Sequence, residues 1–251
     1  MIERRVSSLL RWSRHAAIVL GIAWACGVAR AGSSFDGIAV TPSLSRVCAG
    51  LEKMWLCGDA IERLQQKRGS PFFERRDREL ILKLRRGGAK TLVDTPPETE
   101  GAFLHYRFIQ YLPTLDTYLI DITTYEGGSS LLVSRADGSE LNVDSAPIFS
   151  PDRRYFATTY VNLEEGEPAV RIYRVLRPTP KQVWSLEPDD WGPGALRWIG
   201  PRRLIVATDG LCGDVVVPPG TPAEIVVEEK AGAWSMRPRS PGGRRAFPPK
   251  C

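Results

Sequence analysis

The chain has 251 residues, of which 43% are hydrophobic and 25% charged, with a formal net charge of +5. Residues 1–31 hold five arginines and one acid, and residues 237–251 hold five bases and no acid. The part between them therefore carries 24 bases against 28 acids. A positive net charge often indicates binding to nucleic acid or to a membrane surface. Because the excess lies at the two ends, we exclude that inference for the body of the protein.

Residues 1–31 have the three-part layout of a secretory signal. Four arginines precede an apolar stretch from residue 16 to residue 28, and Ala29-Arg30-Ala31 has the small-x-small pattern of a cleavage site. The apolar stretch is too short to span a bilayer comfortably. We expect a mature chain that begins near Gly32, is periplasmic or secreted, and has no transmembrane segment after cleavage.

Two other interpretations of this segment are open. Arg4-Arg5 could begin a twin-arginine signal, but the rest of that pattern is absent. Cys26 follows a small residue, as the acylated cysteine of a lipoprotein does. Trp24 and the missing leucine three residues before the cysteine argue against lipidation, so an anchor at Cys26 is the alternative localisation.

Four cysteines follow the signal: Cys48, Cys57, Cys212 and Cys251. In an oxidising compartment an even number favours disulfides. Three pairings are possible, and the simplest joins Cys48 to Cys57 and Cys212 to Cys251, because it closes the shortest loops. A C-x-x-C pair is absent and the mature chain has a single histidine, so we expect no metal site. We also assign no cofactor.

Residues 32–69 comprise a loose lead-in and one amphipathic helix. From Ser45 to about Lys67, apolar residues recur at helical spacing with polar residues on the other side, and Gly69 is a suitable end. We expect the apolar stripe to pack into the core.

Residues 70–236 form an all-β body by the same criteria. Residues 79–84 and 91–93 flank a glycine-containing turn and predict a hairpin. Strand-like runs with short turns then continue to about residue 228, which is typical of a meander and, on strand count alone, also permits a β-sandwich. The Pro- and Arg-rich residues 237–251 are predicted to be a tail that does not fold by itself.

A repeated pattern refines this fold prediction. Residues 150–157 (SPDRRYFA) are echoed by residues 199–206 (IGPRRLIV) and more faintly by residues 114–120 (TLDTYLI). Spacings of 37 and 49 residues suit a four-stranded propeller blade. Residues 149–157 resemble the WD40-like (PD40-type) β-propeller repeat of bacterial envelope proteins, with Arg153 in place of the usual glycine. The resemblance implies a propeller-like meander of three to four small blades.

Catalytic motifs are absent from the sequence: it has no G-x-S-x-G elbow, H-E-x-x-H helix, phosphate loop or dinucleotide fingerprint. His105 lies in an alternating strand with Phe103 and Arg107 on its face, without a second histidine or a paired carboxylate beside it. We therefore assign no catalytic residue and expect a strand histidine that is satisfied or faces solvent. The acidic run 164–167 and Asp189-Asp190 lack the spacing of a calcium loop.

We therefore predict an exported, non-enzymatic binding or scaffold protein of the bacterial envelope. Its partner would be another envelope or extracellular protein and not nucleic acid. One specific form is an inhibitor or immunity-type protein whose loop acids meet a basic toxin or hydrolase. The candidate binding residues are Tyr125, Glu164, Glu165, Glu167, Asp189, Asp190 and Trp191.

The alternative is an envelope hydrolase that uses loop carboxylates such as Asp189 and Asp190. Adjacent residues on a strand point to opposite faces, which makes that pair a poor catalytic dyad.

Overall fold

The computed structural model describes residues 46–49, 51, 55–96, 102–125, 127–160, 168–188, 191–212, 215–216 and 223–239. The predicted signal, the lead-in before residue 46 and the tail beyond Arg239 lie outside these residues. Within the described part of the chain, no helix is long and apolar enough to cross a membrane.

The N-terminal helix is broken. Residues 46–48 make one helical turn, Leu51 is not helical, and helix α1 (Trp55–Lys67) follows. The prediction of one unbroken helix is therefore wrong. The disulfide between Cys48 and Cys57 explains the break, because their Cα atoms are 4.8 Å apart. Nine residues of continuous helix would separate those atoms by about 13.5 Å.

Helix α1 ends just before Gly69, as the sequence predicts. Gly69 has a φ of 66°, which is the left-handed conformation that glycine adopts without strain. The amides of Gly69 and Ser70 donate to the carbonyls of Gln66 and Gln65, at 2.9 and 3.1 Å. This pair of bonds is a Schellman cap.

The described residues are mostly β and form four small antiparallel sheets. The strands are β1 (Phe73–Arg76), β2 (Glu79–Lys83), β3 (Ala89–Val93), β4 (Leu104–Leu112), β5 (Thr117–Thr124), β6 (Gly128–Ser134), β7 (Glu140–Val143), β8 (Ile148–Phe149), β9 (Tyr155–Tyr160), β10 (Ala169–Arg174), β11 (Lys181–Leu186), β12 (Trp191–Gly200), β13 (Arg203–Cys212), β14 (Val215–Val216), β15 (Ala223–Lys230) and β16 (Ala233–Arg239).

Each sheet is a meander of strands that follow one another in the chain. The first contains β1 to β3, the second β4 to β7 and the third β8 to β11. The fourth has the order β12-β13-β15-β16, with the short β14 paired to β13. The prediction of an all-β body with meander connections is confirmed.

Two strands were not expected from the sequence. β1 precedes the predicted hairpin of β2 and β3, and β16 pairs with β15 across a turn at Ala231 and Gly232, whose φ angles are 51° and 87°. The hairpin signal is weak here because alanine stands where Asn, Asp or Gly usually supplies positive φ. Residues 237–239 therefore belong to a strand and not to the predicted tail.

The repeated pattern falls on the second strand of three sheets. Residues 118–120 lie in β5, residues 155–157 in β9 and residues 204–206 in β13. In the turn before β9, Arg153 has a φ of 57°. Its backbone thus keeps the conformation that glycine favours, although an arginine occupies the position.

Three buried clusters connect the sheets in series. The first joins β1–β3 to one face of the second sheet. The second joins α1 and the other face of that sheet to the third sheet, and the last joins the third sheet to the fourth. In β5, Tyr118 and Ile120 face the first cluster whereas Leu119 faces the second. Both faces of this strand are therefore buried, which explains its continuous apolar run.

Candidate functional site

Contacts between strand ends define one edge of the stacked sheets. Arg171, near the start of β10, donates to the carboxylates of Asp144 and Glu187, which directly follow β7 and β11. The Thr158 hydroxyl in β9 also donates to Asp144, at 2.9 Å. We call this edge the loop edge. Here β1, β3, β5, β7, β9, β11 and β13 end, and the following strands begin; the opposite ends form the turn edge.

The charged residues in the connections that join these strand ends are almost all acidic in sequence. The connections comprise residues 77–78, 94–103, 125–127, 144–147, 161–168, 187–190, 213–214 and 217–222. Arg78 is their one basic residue. Of their acidic residues, the structure describes Asp77, Asp94, Asp144 and Glu187. The sequence of the connections adds acidic residues that lie outside the described part of the chain: Glu98, Glu100, Glu126, Glu164, Glu165, Glu167, Asp189, Asp190 and Asp214.

The turn edge has the opposite balance. Its connections carry the bases Arg85, Arg86, Arg135, Arg153, Arg154, Arg177 and Arg202. Their acidic residues are Asp116, Asp137 and Asp152. The order of the strands therefore sorts the charges of the connections by sign.

Of the predicted binding residues, the structure describes Tyr125 and Trp191. Tyr125 lies in the turn after β5 and is 80% exposed, as a contact residue at the loop edge would be. Trp191 is 5% exposed and packs in the cluster between the third and fourth sheets, so its ring is a core residue and not an exposed contact for a partner. It is the first residue of β12 and covers apolar neighbours in that core.

The acidic binding residues lie outside the described residues: Glu164, Glu165, Glu167, Asp189 and Asp190. Tyr160 and Ala169 flank the run that contains Glu164, Glu165 and Glu167, and Leu186 and Trp191 flank the run that contains Asp189 and Asp190. All four strand ends belong to the loop edge.

One half of the predicted disulfide arrangement is present. Cys48 and Cys57 are bonded and fully buried beside Ile61 in the second cluster. Cys251 and the side chain of Cys212 lie outside the described residues, and their pairing stays a prediction.

A groove of about 340 Å³ opens at the loop edge between the second and third sheets. Most of its lining side chains are polar. Burial, together with the nearby Asp144 carboxylate, raises the pKa of Tyr173 to about 12, so this phenol stays protonated at neutral pH. The lining residues are Ser129, Asn142, Val143, Asp144, Tyr160, Arg171, Tyr173 and Gln182.

An ionic cluster fixes α1 against the first two sheets. Arg75 of β1 makes a two-pronged ion pair with Glu62 of α1, at 2.8 and 3.0 Å, and pairs with Asp94 at 3.1 Å. The Glu62 carboxylate also accepts a hydrogen bond from the backbone amide of Phe108 in β4, at 2.6 Å. A single carboxylate thus connects the helix to both sheets.

Arg107 of β4 forms the second half of the cluster and is 4% exposed. Its Nε donates to Asp59 of α1 at 2.5 Å, and its Nη1 donates to Asp121 of β5 at 3.3 Å and to the Thr123 hydroxyl. Burial raises the pKa of Asp121 to about 6 in spite of this cation. Asp121 therefore changes its charge within the ordinary range of pH.

His105 lies between two carboxylates. Its Nδ1 is 3.7 Å from Asp94 and its Nε2 is 3.7 Å from Asp59. The expectation that no pair of carboxylates accompanies this histidine is wrong, because the fold brings both from distant parts of the chain. Burial, and then the Arg107 charge, lower the pKa of His105 against the opposing effect of Asp94 and Asp59. The imidazole can accept a proton, but neither carboxylate is within hydrogen-bonding distance of it.

Gly58 lets α1 approach this cluster, and we expect Gly58→Ala to lower the free energy of unfolding by about 1–3 kcal/mol. A Cβ at Gly58 would lie 2.5 Å from Cδ of Arg107, whose side chain is held by its ion pairs. In an open helix the same change stabilises by about 1 kcal/mol. Urea denaturation measures the effect, with the exposed Gln66→Ala in the same helix as a control. A stabilised Gly58→Ala variant would contradict the packing of α1 on Arg107.

Among the described residues, no group of three or more His, Cys, Asp or Glu side chains could hold a metal ion.

Comparison with known proteins gives one distant likeness. No family model matches the chain, and no curated protein matches it. A solved structure, that of a protein assigned as a 6-phosphogluconolactonase from Bacteroides fragilis NCTC 9343, is similar at 10% identity with a TM-score of 0.34. The alignment covers 63% of this chain and 49% of that one, so the chain spans about half the length of that protein.

Proposed function

We propose that the protein is an exported, non-enzymatic binding module of the bacterial envelope, and that its loop edge captures a basic protein partner. The main support is the difference in charge between the connections at the two edges. In sequence, acidic residues dominate the connections that join the strand ends of the loop edge, and arginines dominate those that join the strand ends of the turn edge. A surface of one sign attracts a partner of the other sign and raises the rate of association.

The scaffold that we propose is propeller-like, with each sheet as one small blade. Three features support this: the meander order within each sheet, the series of three buried clusters, and the repeated pattern on the second strand of three sheets. Blades need neighbours because one sheet cannot bury both of its faces alone. Such a scaffold would hold the connections at the loop edge in fixed positions for binding.

Within this class, we favour an inhibitor or immunity-type protein. Exposed Tyr125 beside the acidic connections supports this form, because aromatic side chains and complementary charge are characteristic of protein interfaces. The partner would be a basic toxin or hydrolase that meets the protein outside the cytoplasm.

Reversal of charge at the loop edge is expected to slow partner association at least several-fold and to make it less dependent on salt. The partner is first isolated from an envelope extract on the immobilised protein, and association rates are then measured by surface plasmon resonance at two salt concentrations. The test variant is Asp189→Lys with Asp190→Lys. The matched control is Asp137→Lys with Glu140→Lys, for which we expect no loss; Glu140 is the first residue of β7 and so lies at the turn edge. Equal rates for the wild-type protein and the loop-edge variant would contradict the proposal.

The hydrolase alternative has its own test at His105. In a binding module, His105→Ala leaves partner capture intact. If a screen of envelope substrates found turnover that His105→Ala abolished in a folded protein, the binding function would be wrong, and the cluster of Asp59, Asp94 and His105 would be the active site.

A further inference from the structure

We propose that the turn edge holds a second binding site, a pocket for an acidic side chain, glutamate or aspartate, of another protein. This site lies at the opposite edge from the partner surface proposed above and goes beyond that function. The pocket has a volume of about 240 Å³ and is lined by residues at the turns between β2 and β3, β4 and β5, β6 and β7, and β10 and β11. Because these turns belong to three sheets, the stacking of the sheets creates the pocket.

The lining of the pocket has an excess of positive charge. It contains two guanidinium groups, Arg85 and Arg177, and one carboxylate, Asp116. Asp116 pairs with Arg85 and accepts the Tyr111 hydroxyl at 2.7 Å, so both of its oxygens are used. Burial acts to raise the pKa of Asp116, but the hydrogen bonds from Tyr111 and Arg85 lower it overall, so the carboxylate is ionised and neutralises Arg85. The charge of Arg177 is left without a counter-ion in the lining.

Arg177 is exposed and is fixed by neutral acceptors. Its Nη2 donates to the carbonyl oxygens of Pro113 and Thr114, at 3.0 and 3.2 Å. No carboxylate among the described residues forms an ion pair with Arg177, and its Nε and Nη1 have no acceptor there. A guanidinium has five N–H donors, and a carboxylate fits its planar geometry. Arg177 is therefore held in place with charge and donors available to an anion.

Other charges at the turn edge do not cancel this excess. Arg153, in the turn before β9, donates to the Thr114 hydroxyl at 3.2 Å, and no carboxylate in the described part of the chain pairs with it. Asp137 and Asp152 are the two remaining acids of the turn-edge connections, and each accepts a backbone amide within its own turn. These two acids stand against four more arginines: Arg86, Arg135, Arg153 and Arg154.

The chemistry of the pocket suits a carboxylate on a short hydrocarbon stem. One uncompensated positive charge matches a carboxylate better than a phosphate group, which carries a charge of about −1.5 to −2 at neutral pH. Leu115, Ala136 and Pro178 give the pocket apolar walls for the stem. The volume of the pocket lies below the range of about 300–1,000 Å³ for small-molecule sites, so it suits one side chain better than a whole cofactor.

An exposed leucine favours a protein as the source of the carboxylate. Leu176, directly before Arg177, is 40% exposed. A protein surface would cover this side chain when its acidic residue enters the pocket, whereas a free organic acid would leave it in water. Arginine is also enriched at protein interfaces and among the residues that dominate their binding energy.

The test is an NMR titration of the isotope-labelled protein with N-acetyl-glutamate amide and with its uncharged isostere, N-acetyl-glutamine amide. We expect the glutamate probe to shift the backbone amide signals of Leu115, Ala136 and Arg177. The glutamine probe should bind about tenfold more weakly, because hydrogen bonds to a charged group are the stronger ones. Equal binding of both probes, or shifts that avoid these three residues, would overturn the proposal.

Inorganic phosphate and butyrate test the two alternative ligands, and we expect both to bind more weakly than the glutamate probe. Tighter binding of phosphate would overturn the assignment of a carboxylate. Tighter binding of butyrate would overturn the assignment of a protein as its source.

Two variants localise the effect. Arg177→Gln should weaken binding of the glutamate probe about tenfold, because it removes the uncompensated charge. Ala136→Leu keeps both guanidinium groups but fills part of the pocket, so it should also weaken binding, and it keeps the test valid if Arg177→Gln does not fold. The matched control is Arg76→Gln, at an exposed arginine of the loop edge that pairs with Glu74, and it should leave the affinity unchanged. Unchanged affinity in a folded Arg177→Gln or Ala136→Leu variant would contradict the proposal.

The titration and the association experiment fail separately. If the glutamate probe binds at the turn edge but the reversal at Asp189 and Asp190 leaves partner association unchanged, the pocket stands and the proposed function is wrong. If the reversal slows association while the glutamate probe does not bind, the proposed function stands and the pocket is wrong.

Discussion

Replacing Arg107 by leucine should lower the free energy of unfolding by about 3–5 kcal/mol at pH 7.5. The change removes the cation that compensates Asp59 and Asp121, and Asp121 would then be a buried carboxylate without a positive partner. Urea denaturation followed by circular dichroism measures the loss. The control is Arg76→Leu, which removes an arginine that is 65% exposed and pairs with Glu74. We expect the control to change stability by no more than about 0.5 kcal/mol.

The deficit of the Arg107→Leu variant should shrink at acidic pH. Burial raises the pKa of Asp121 to about 6, so its protonation stabilises the fold at low pH, and this contribution is lost as the pH rises through 6. Without Arg107, the pKa of Asp121 rises further. Arg107 lowers the pKa of His105, so this pKa also rises in the variant. A higher pKa of His105 stabilises the variant more at acidic pH than at neutral pH, which also shrinks the deficit. A deficit that is equal or larger at pH 5 than at pH 7.5 would contradict this account of the cluster.

The second large effect is expected from Phe156→Ala, which should cost about 3–5 kcal/mol. Phe156 is fully buried in the cluster between the second and third sheets, and it stacks on Tyr173 and contacts Phe149. Truncation would leave a cavity where two sheets meet. Chemical denaturation measures this change too, and Val93→Ala, at a position that is 52% exposed, is the near-neutral control.

The equivalent position in the fourth sheet gives a second test of whether the second strands are buried. Ile205 lies on β13 as Phe156 lies on β9, and it is 2% exposed. Ile205→Ala should cost about 2–5 kcal/mol. Near-neutral effects at both positions would mean that the second strands of these sheets are not the buried strands described above.

Most strands could be predicted because their signals are local. β5 and β7 lie where strand-like runs are expected, since apolar runs alternate there with turns that contain Gly, Asp or Pro. β1 (FERR) was missed because three of its four residues are charged. β16 contains Pro238, a residue that argues against a strand assignment unless the strand is at an edge. The break before α1 depends on the disulfide between Cys48 and Cys57, which the helical periodicity of the sequence does not reveal.

The candidate site could be predicted only in part. The sequence shows the acidic runs, but the gathering of their flanking strand ends at one edge depends on strand direction, which the pairing supplies. The cluster around His105 joins Asp59, Asp94 and Asp121 from a helix, a loop and a strand. Contacts between residues so far apart in the chain leave no local pattern. The acidic neighbours of Trp191 suggested a role in binding, whereas its ring packs in the core.

Hydrogen–deuterium exchange of the protein, alone and with its captured partner, tests the central claim most directly. Binding at the loop edge predicts slower exchange in peptides that include Thr123, Asp144 and Tyr160. Peptides from the turn edge, which include Arg85 and Arg153, should be unchanged. Protection confined to the turn edge, with the loop edge exchanging as in the free protein, would contradict the claim that the acidic edge binds the partner.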